Sequence, residues 1–280
     1  MRRRPSVIVG QVLAGALVLA AMVWLVRAGL LALVAFEERL AEPWFWLYQH
    51  VGYVIGLALL AIALLAALHL RVHGRHDQRP QGPHDAIRWW TLGERIVHWL
   101  FVLSFLVLLV SGLQLYLAGF GLPTPLTRFM RRWHVGEPFM VGGALLFVLW
   151  FRDALPRRYD LRWLAHFGGY LGHAGLLPAG RFNAGQKLWF WLEALGGIAM
   201  AVTGWELQHH FTRFDDGFLT LLAAHLGAAA VFVVVLGIHF YLAVIAVRGA
   251  LGGMVHGSIG RQGALRYHPE ADILHRSPAE

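Results

Sequence analysis

The sequence predicts an all-α, polytopic membrane protein with six transmembrane helices. Hydrophobic residues make up 58% of the 280 residues and charged residues 14%, too few charges to cover a soluble globule of this size. Six apolar stretches, at 6–35, 44–70, 97–119, 135–151, 187–207 and 219–247, suit helices crossing a ~30 Å hydrocarbon layer. They are continuous runs rather than short alternating segments, so a transmembrane β-barrel is excluded, and only internally hydrogen-bonded helices satisfy the backbone in lipid.

The first span follows Met1-Arg-Arg-Arg. Signal-peptide cores run to ~7–15 residues. This stretch is about twice that, with no small-x-small cleavage site before Glu37, so it reads as an uncleaved signal anchor. After the short loop Phe36 to Pro43 comes the second span, and residues 1–75 form a helical hairpin packed on the periphery of the later spans. A polar linker occupies 76–93. The remaining four spans lie in a bundle over 94–255, and residues 256–280 form a tail. The fourth stretch is short for a crossing and borrows residues from its flanks.

Lysine and arginine placement sets the orientation. The N-terminal tail, the loops Arg71 to Arg95 and Arg152 to Lys187, and the C-terminal tail together hold eighteen. The alternate loops hold five: Arg39, Arg128, Arg131, Arg132 and Arg213. The positive-inside rule then puts both termini in the cytoplasm of a bacterial-type inner membrane. Arg27 alone lies within a span. The net charge of +8 follows from this arginine excess. The basic residues flank spans and form no patch on a soluble domain, which argues for a lipid partner and against nucleic acid.

The chain has no cysteine. That excludes covalent C-x-x-C-H haem, an iron–sulfur cluster and a thiol nucleophile. No Gly-rich phosphate loop is present either. Redox chemistry would have to use histidine-held haem and diffusible carriers, with any primary dehydrogenase on another chain.

Histidine spacing is the strongest signal. His225 and His239 lie fourteen residues apart in one apolar run. At ~3.6 residues per turn both project from one helix face, separated by roughly 21 Å along the axis. One helix thus presents a histidine near each side of the bilayer, and imidazole is a standard axial ligand of haem iron. His134 opens the fourth span from the periplasmic side and His98 opens the third from the cytoplasmic side. Depth pairs His134 with His225 and His98 with His239, giving two b-type haems, one per leaflet. For each histidine alone, an interfacial side chain bonding a carbonyl is the competing reading. His50 and His69 share the second span but lie about 100° apart in azimuth and do not fit this pattern. His73, His76, His84, His166, His173, His209, His210, His256, His268 and His275 read as loop, interface or tail residues. Gly112, Gly136, Gly142, Gly143 and Gly227 would let helices stand close to a flat macrocycle, although close helix packing also explains them.

Residues from about 90 to 270 resemble the cytochrome b, or gamma, subunit of respiratory membrane-bound formate dehydrogenases. The resemblance rests on Glu94-Arg-Ile-Val-His98-Trp, Trp133-His134, Arg181-Phe-Asn183-Ala-Gly185-Gln186-Lys187, the fourteen-residue histidine pair and Tyr267-His268-Pro269. The histidines alone would also fit cytochromes of hydrogenases and thiosulfate reductases. A haem-free anchor or transporter is the rival from another class. The resemblance implies a four-helix bundle with two bis-histidine haems, paired as depth pairs them. It also implies an iron–sulfur (beta) subunit and a molybdenum or tungsten catalytic (alpha) subunit as partners. A menaquinone or ubiquinone site is expected beside the cytoplasmic-side haem. The chain would then be an electron-transfer subunit that carries the quinone-reduction site.

The quinone residues implied are Asn183, Gly185, Gln186 and Lys187. They form a polar turn opening a helix, where amides, backbone N–H groups and the ammonium can donate to a quinone carbonyl. The alternative is a helix N-cap at Asn183 with Lys187 snorkelling. Glu193 matches no family motif. The cost of burying a carboxylate makes it a candidate for a proton path from the cytoplasm.

Overall fold

A computed structural model of the chain describes residues 5–34, 41–119, 125–172, 176–209 and 216–274. Arg39, Arg213, His173, His210, His275 and the N-terminal arginines lie outside the described residues. Six apolar crossings are present, as the sequence predicts.

The first two helices are α1 (Pro5–Val34) and α2 (Ala41–His73), followed by the short strands β1 (His76–Asp77) and β2 (Ala86–Arg88). Helix α3 (Leu92–Gly119) is the third crossing. The fourth is made of two helices, α4 (Thr127–Trp133) and α5 (Glu137–Trp150). Pro138 near the start of α5 has no N–H for a preceding helix, and Gly136 precedes it, so the chain breaks between them. The apolar stretch is short because α4 carries Arg128, Arg131 and Arg132, so only the α5 part of the crossing is continuously apolar. After α6 (Asp160–Ala165) come α7 (Ala184–His209) and α8 (Asp216–Phe240). Helix α8 continues as a π-helical turn, Tyr241–Ala246. The chain ends with β3 (Val247–Arg248), α9 (Ala250–His256), β4 (Ser258–Gly260) and α10 (Arg261–Tyr267).

Helices α3, α5, α7 and α8 form the bundle. Helix α2 lies along α8, with Leu47 beside Gly227 and Leu59 beside Gly237, so the two run in the same direction. Their extensions therefore meet in parallel: β1 pairs β3 in the register His76 to Val247 and Asp77 to Arg248. The β2 segment pairs antiparallel with β4, Ala86 opposite Gly260 and Arg88 opposite Ser258. The linker and the tail, separate in the sequence reading, are thus woven into one polar cap beneath the bundle. We call this end the cap side and the other end the far side.

Helices α1 and α2 rest against different helices of the bundle, α2 on α8 and α1 mainly on α7 and α5. In α1, Met22 joins the core cluster with Phe147, Phe190 and Ile198, and Arg27 ion-pairs with Glu206 of α7 (Nε–Oε1 3.1 Å). This basic residue, inside the first crossing, is therefore paired, as an intramembrane charge must be.

Candidate functional site

On the far side, His134 occupies the break between α4 and α5, and His225 projects from α8 towards it. Their ring centres are 6.2 Å apart with the planes at 76°. With metal–nitrogen bonds of about 2 Å, two imidazoles on opposite sides of one ion have ring centres about 6 Å apart. The pair is spaced to hold a single metal between them.

Each ring is fixed from behind by a hydroxyl on a neighbouring helix. The Nδ1 of His134 is 2.9 Å from Ser111 Oγ on α3, and the Nδ1 of His225 is 2.8 Å from Thr203 Oγ1 on α7. Both hydroxyls also reach the carbonyl four residues back, Val107 at 2.7 Å and Ala199 at 2.6 Å. Beside each hydroxyl is a glycine. A Cβ at Gly112 would stand 3.1 Å from His134 Cε1, and one at Gly204 3.3 Å from His225 Cε1. Neither Ser111 nor Thr203 was singled out by sequence reasoning. The signal was available as a repeat, Val110-Ser111-Gly112 and Val202-Thr203-Gly204.

On the cap side, His98 of α3 and His239 in the last turn of α8 line one cavity of about 710 Å³. The aromatic walls include Phe105, Phe139, Trp189 and Phe232, and Leu19, Val23 and Arg27 of α1 also contribute. His239 stacks on Trp189, with ring centres 4.8 Å apart and planes at 10°. His98 is flanked by Trp99 and Trp150, and its buried Nδ1 has no hydrogen-bond partner among the described residues. A largely apolar, aromatic cavity lined by two imidazoles suits a flat macrocycle, so the donor set and the lining fit haem here.

The turn before α7 is more finely divided than the sequence suggests. Asn183 and Gln186 form a reciprocal capping box. The Gln186 N–H donates to Asn183 Oδ1 and the Asn183 N–H to Gln186 Oε1, each at 2.9 Å. Their oxygens are thereby used, which leaves the NH₂ groups, and Gln186 lines the cavity. Lys187 is buried and does not snorkel. Its ammonium donates to both oxygens of Asp160 at 2.9 Å. Gly185 lies under Trp163, where a Cβ would come within 2.9 Å of the indole. Glu193 follows Gln186 on the same face of α7, lines the cavity, and forms no hydrogen bond or ion pair among the described residues.

Behind this turn stands a partly buried network that joins the two sequence motifs. Arg181 binds Glu94 and Asp153 at 2.8 Å and donates to the Trp89 carbonyl, and Glu94 also accepts from Trp150 Nε1 at 3.0 Å. Burial works against the Arg181 charge, but bonding to Glu94 and Asp153 outweighs it and raises its pKa.

Most other histidines have structural duties. The Nδ1 groups of His50, His166 and His209 each bond the carbonyl four residues back. His69 donates from Nε2 to the Tyr170 carbonyl, so its Nδ1 accepts the Tyr241 hydroxyl. His76 is stacked between Tyr170 and Tyr267. His268 is buried on the Gly180 carbonyl.

Residues 88–257 match the family model described as prokaryotic cytochrome b561, which leaves α1 and α2 outside the match. Among curated proteins, the chain is 27% identical over 194 residues to the formate dehydrogenase cytochrome b556(fdo) subunit of Escherichia coli K12 (66% of this chain, 91% of that protein). It is 26% identical over 187 residues to the formate dehydrogenase cytochrome b556 subunit of Haemophilus influenzae (62% and 77%). To the nitrate-inducible cytochrome b556(Fdn) subunit of E. coli K12 it is 25% identical over 186 residues (63% and 85%). With the family match covering well over half its length, the chain belongs to the prokaryotic cytochrome b561 family, a family of haem b membrane proteins.

Proposed function

We propose that this chain is the membrane subunit of a formate:quinone oxidoreductase and holds two bis-histidine haems. His134 and His225 would ligate one, on the far side, and His98 and His239 the other, on the cap side. The observation that carries this reading is the far-side pair, with rings 6.2 Å apart and both Nδ1 atoms already bonded to hydroxyls. That arrangement leaves each Nε2 as the metal-binding nitrogen. The arginine distribution supports a cytoplasmic cap side and a periplasmic far side in a bacterial inner membrane, with both termini inside. The relatives are named as cytochrome subunits of formate dehydrogenases, which supports formate as the source of the electrons and a catalytic partner outside this chain. Periplasmic oxidation and the iron–sulfur and molybdenum or tungsten subunits follow from the resemblance in the sequence.

Haem iron, when bound, exchanges single electrons. Electrons from formate would enter this chain at the depth of His134 and His225 and leave at the depth of His98 and His239. Two of them, with two protons from the cytoplasm, would reduce one menaquinone or ubiquinone. Here the NH₂ groups of Asn183 and Gln186 would donate to a quinone carbonyl. Gly185 and Lys187 hold the turn from behind, through Trp163 and Asp160. Glu193 would pass protons along the cavity wall. The protein's share is positioning and polarity, while the electron chemistry belongs to the bound groups.

The test is the reduced-minus-oxidised visible spectrum of the purified chain with quantified haem. His225→Ala should remove one haem and spare the other, and His239→Ala should remove the other. Two haems per chain in either variant would disprove the pairing, and no reducible b-type bands in the wild type would disprove the cytochrome reading.

A further inference from the structure

From the paired hydroxyls we infer that Ser111 and Thr203 are positioning residues that set the reduction potential of the far-side haem below that of the cap-side one. The inference rests on the haem ligation proposed above. A serine or threonine has one proton to give. The contacts from Ser111 Oγ to the Val107 carbonyl (2.7 Å) and from Thr203 Oγ1 to the Ala199 carbonyl (2.6 Å) are of full O–H···O length. Those carbonyls take the protons. At 2.9 and 2.8 Å from His134 and His225, the oxygens can then act only as acceptors. Both imidazoles must be Nδ1–H tautomers with the Nε2 lone pair free.

This bonding has two effects. The ring is locked in tautomer and orientation, since turning it would break the bond to the hydroxyl or drive Cε1 towards the glycine beside it. The ligand also becomes more basic, because an acceptor on Nδ1–H pushes electron density towards Nε2, and a hydroxyl that is itself donating is the stronger acceptor. A more basic axial pair favours Fe(III) over Fe(II) and lowers the potential. The couple is a one-electron change with the Nδ1 proton kept on the ring in both states.

The cap-side pair lacks this device. His98 Nδ1 is buried with no partner among the described residues, and His239 is set by stacking on Trp189. The hydroxyl–glycine dipeptides occur on α3 and α7 at the far-side depth, one for each ring. Their effect is to make transfer from far side to cap side energetically downhill.

The test is an optical redox titration of the full chain, with each haem assigned by the His225→Ala and His239→Ala variants. Thr203→Val and Ser111→Ala should each raise the far-side component alone. The reduced-to-oxidised ratio at fixed potential should rise about fivefold, the ratio that one ordinary hydrogen bond supports. Thr203→Ser keeps the hydroxyl and should titrate as wild type. Two bound haems at unchanged potentials in both variants, or a shift confined to the cap-side component, would overturn the inference. If Thr203→Val loses the far-side haem, its retention in Thr203→Ser supports positioning by the hydroxyl, whereas loss in both makes side-chain volume the requirement and overturns it. A wild-type chain without haem fails the ligation reading instead, so the two failures are distinguishable.

Discussion

The far half of the bundle and the cap half hold their histidines in place by different means. On the far side the spanning helices suffice: a hydroxyl and a glycine on α3 serve His134, and the same two residue types on α7 serve His225. On the cap side no such clamp exists among the described residues. The helix ends are tied by a folded polar layer in which Glu94, Arg181 and Asp153 join α3, α5 and α7, and strands from the linker pair with strands from the tail. On the proposed function, the far side would only pass electrons and can be closed and rigid. The cap side would also admit a quinone and protons and needs an opening, with its rigidity coming from around that opening rather than across it.

Breaking the cap should show this division most strongly. Arg181→Met would leave the buried Glu94 carboxylate with no cation, a change of the kind that costs about 3–5 kcal/mol. The expected result is a large drop in thermal stability in detergent, with faster amide exchange in 82–95 and 177–187. Exchange around Ser111 and Thr203 should stay slow until global unfolding. Combining it with Glu94→Gln should recover part of the loss. Uniform loosening of both halves would show that the cap is no separate layer of support.

Acid should act on the cap next. His268 is buried, which pushes its pKa down to about 4 although the Gly180 carbonyl opposes the shift. His76 is lowered too, first by burial and then by His69 and Arg266. A histidine with a depressed folded pKa is neutral when folded and protonates first in the unfolded chain. Its contribution is therefore full above about pH 6.5 and lost progressively as pH falls towards 4. Cap stability, followed by hydrogen exchange of 258–274, should drop across that window by up to a few kcal/mol, and His268→Gln should flatten the dependence. An unchanged pH profile in that variant would return His268 to a packing role.

The two halves also differ in how legible they were. His225 and His239 stood out because both lie on one helix, where spacing converts directly into face and depth. The short fourth stretch was expected to borrow residues from its flanks, and α4 supplies them, but the break at Gly136 and Pro138 was not foreseen. Ser111 and Thr203 escaped notice because a hydroxyl in an apolar run ordinarily bonds its own helix, and both do so. Their second contact exists only between helices. Lys187 read as a quinone donor, with snorkelling as the alternative, because Asp160, which holds it, lies 27 residues away in a different element. The pairing of linker with tail depends on α2 and α8 running parallel, a fact of packing that no local pattern encodes. Which helix α1 rests on was hidden for the same reason, since its pairing with α7 through Arg27 and Glu206 joins residues 179 apart.

The smallest expected effect concerns the quinone end, where the capping box complicates the usual alanine change. Asn183→Ala would remove the helix cap together with the amide, confounding two roles. Asn183→Asp and Gln186→Glu keep the oxygens that accept the backbone N–H groups at 2.9 Å, and a carboxylate at either place is a good cap at a helix start. What they remove is the NH₂ donor. Both haems should remain bound and reducible, while haem reoxidation by quinone slows roughly two- to twelve-fold, the range for losing one hydrogen bond of about 0.5–1.5 kcal/mol. Gln186→Glu should give the larger change, because Gln186 lines the cavity. If reoxidation ran at the wild-type rate in both variants, the turn would be a helix cap and nothing more, and the quinone donors would have to be sought elsewhere on the cavity wall.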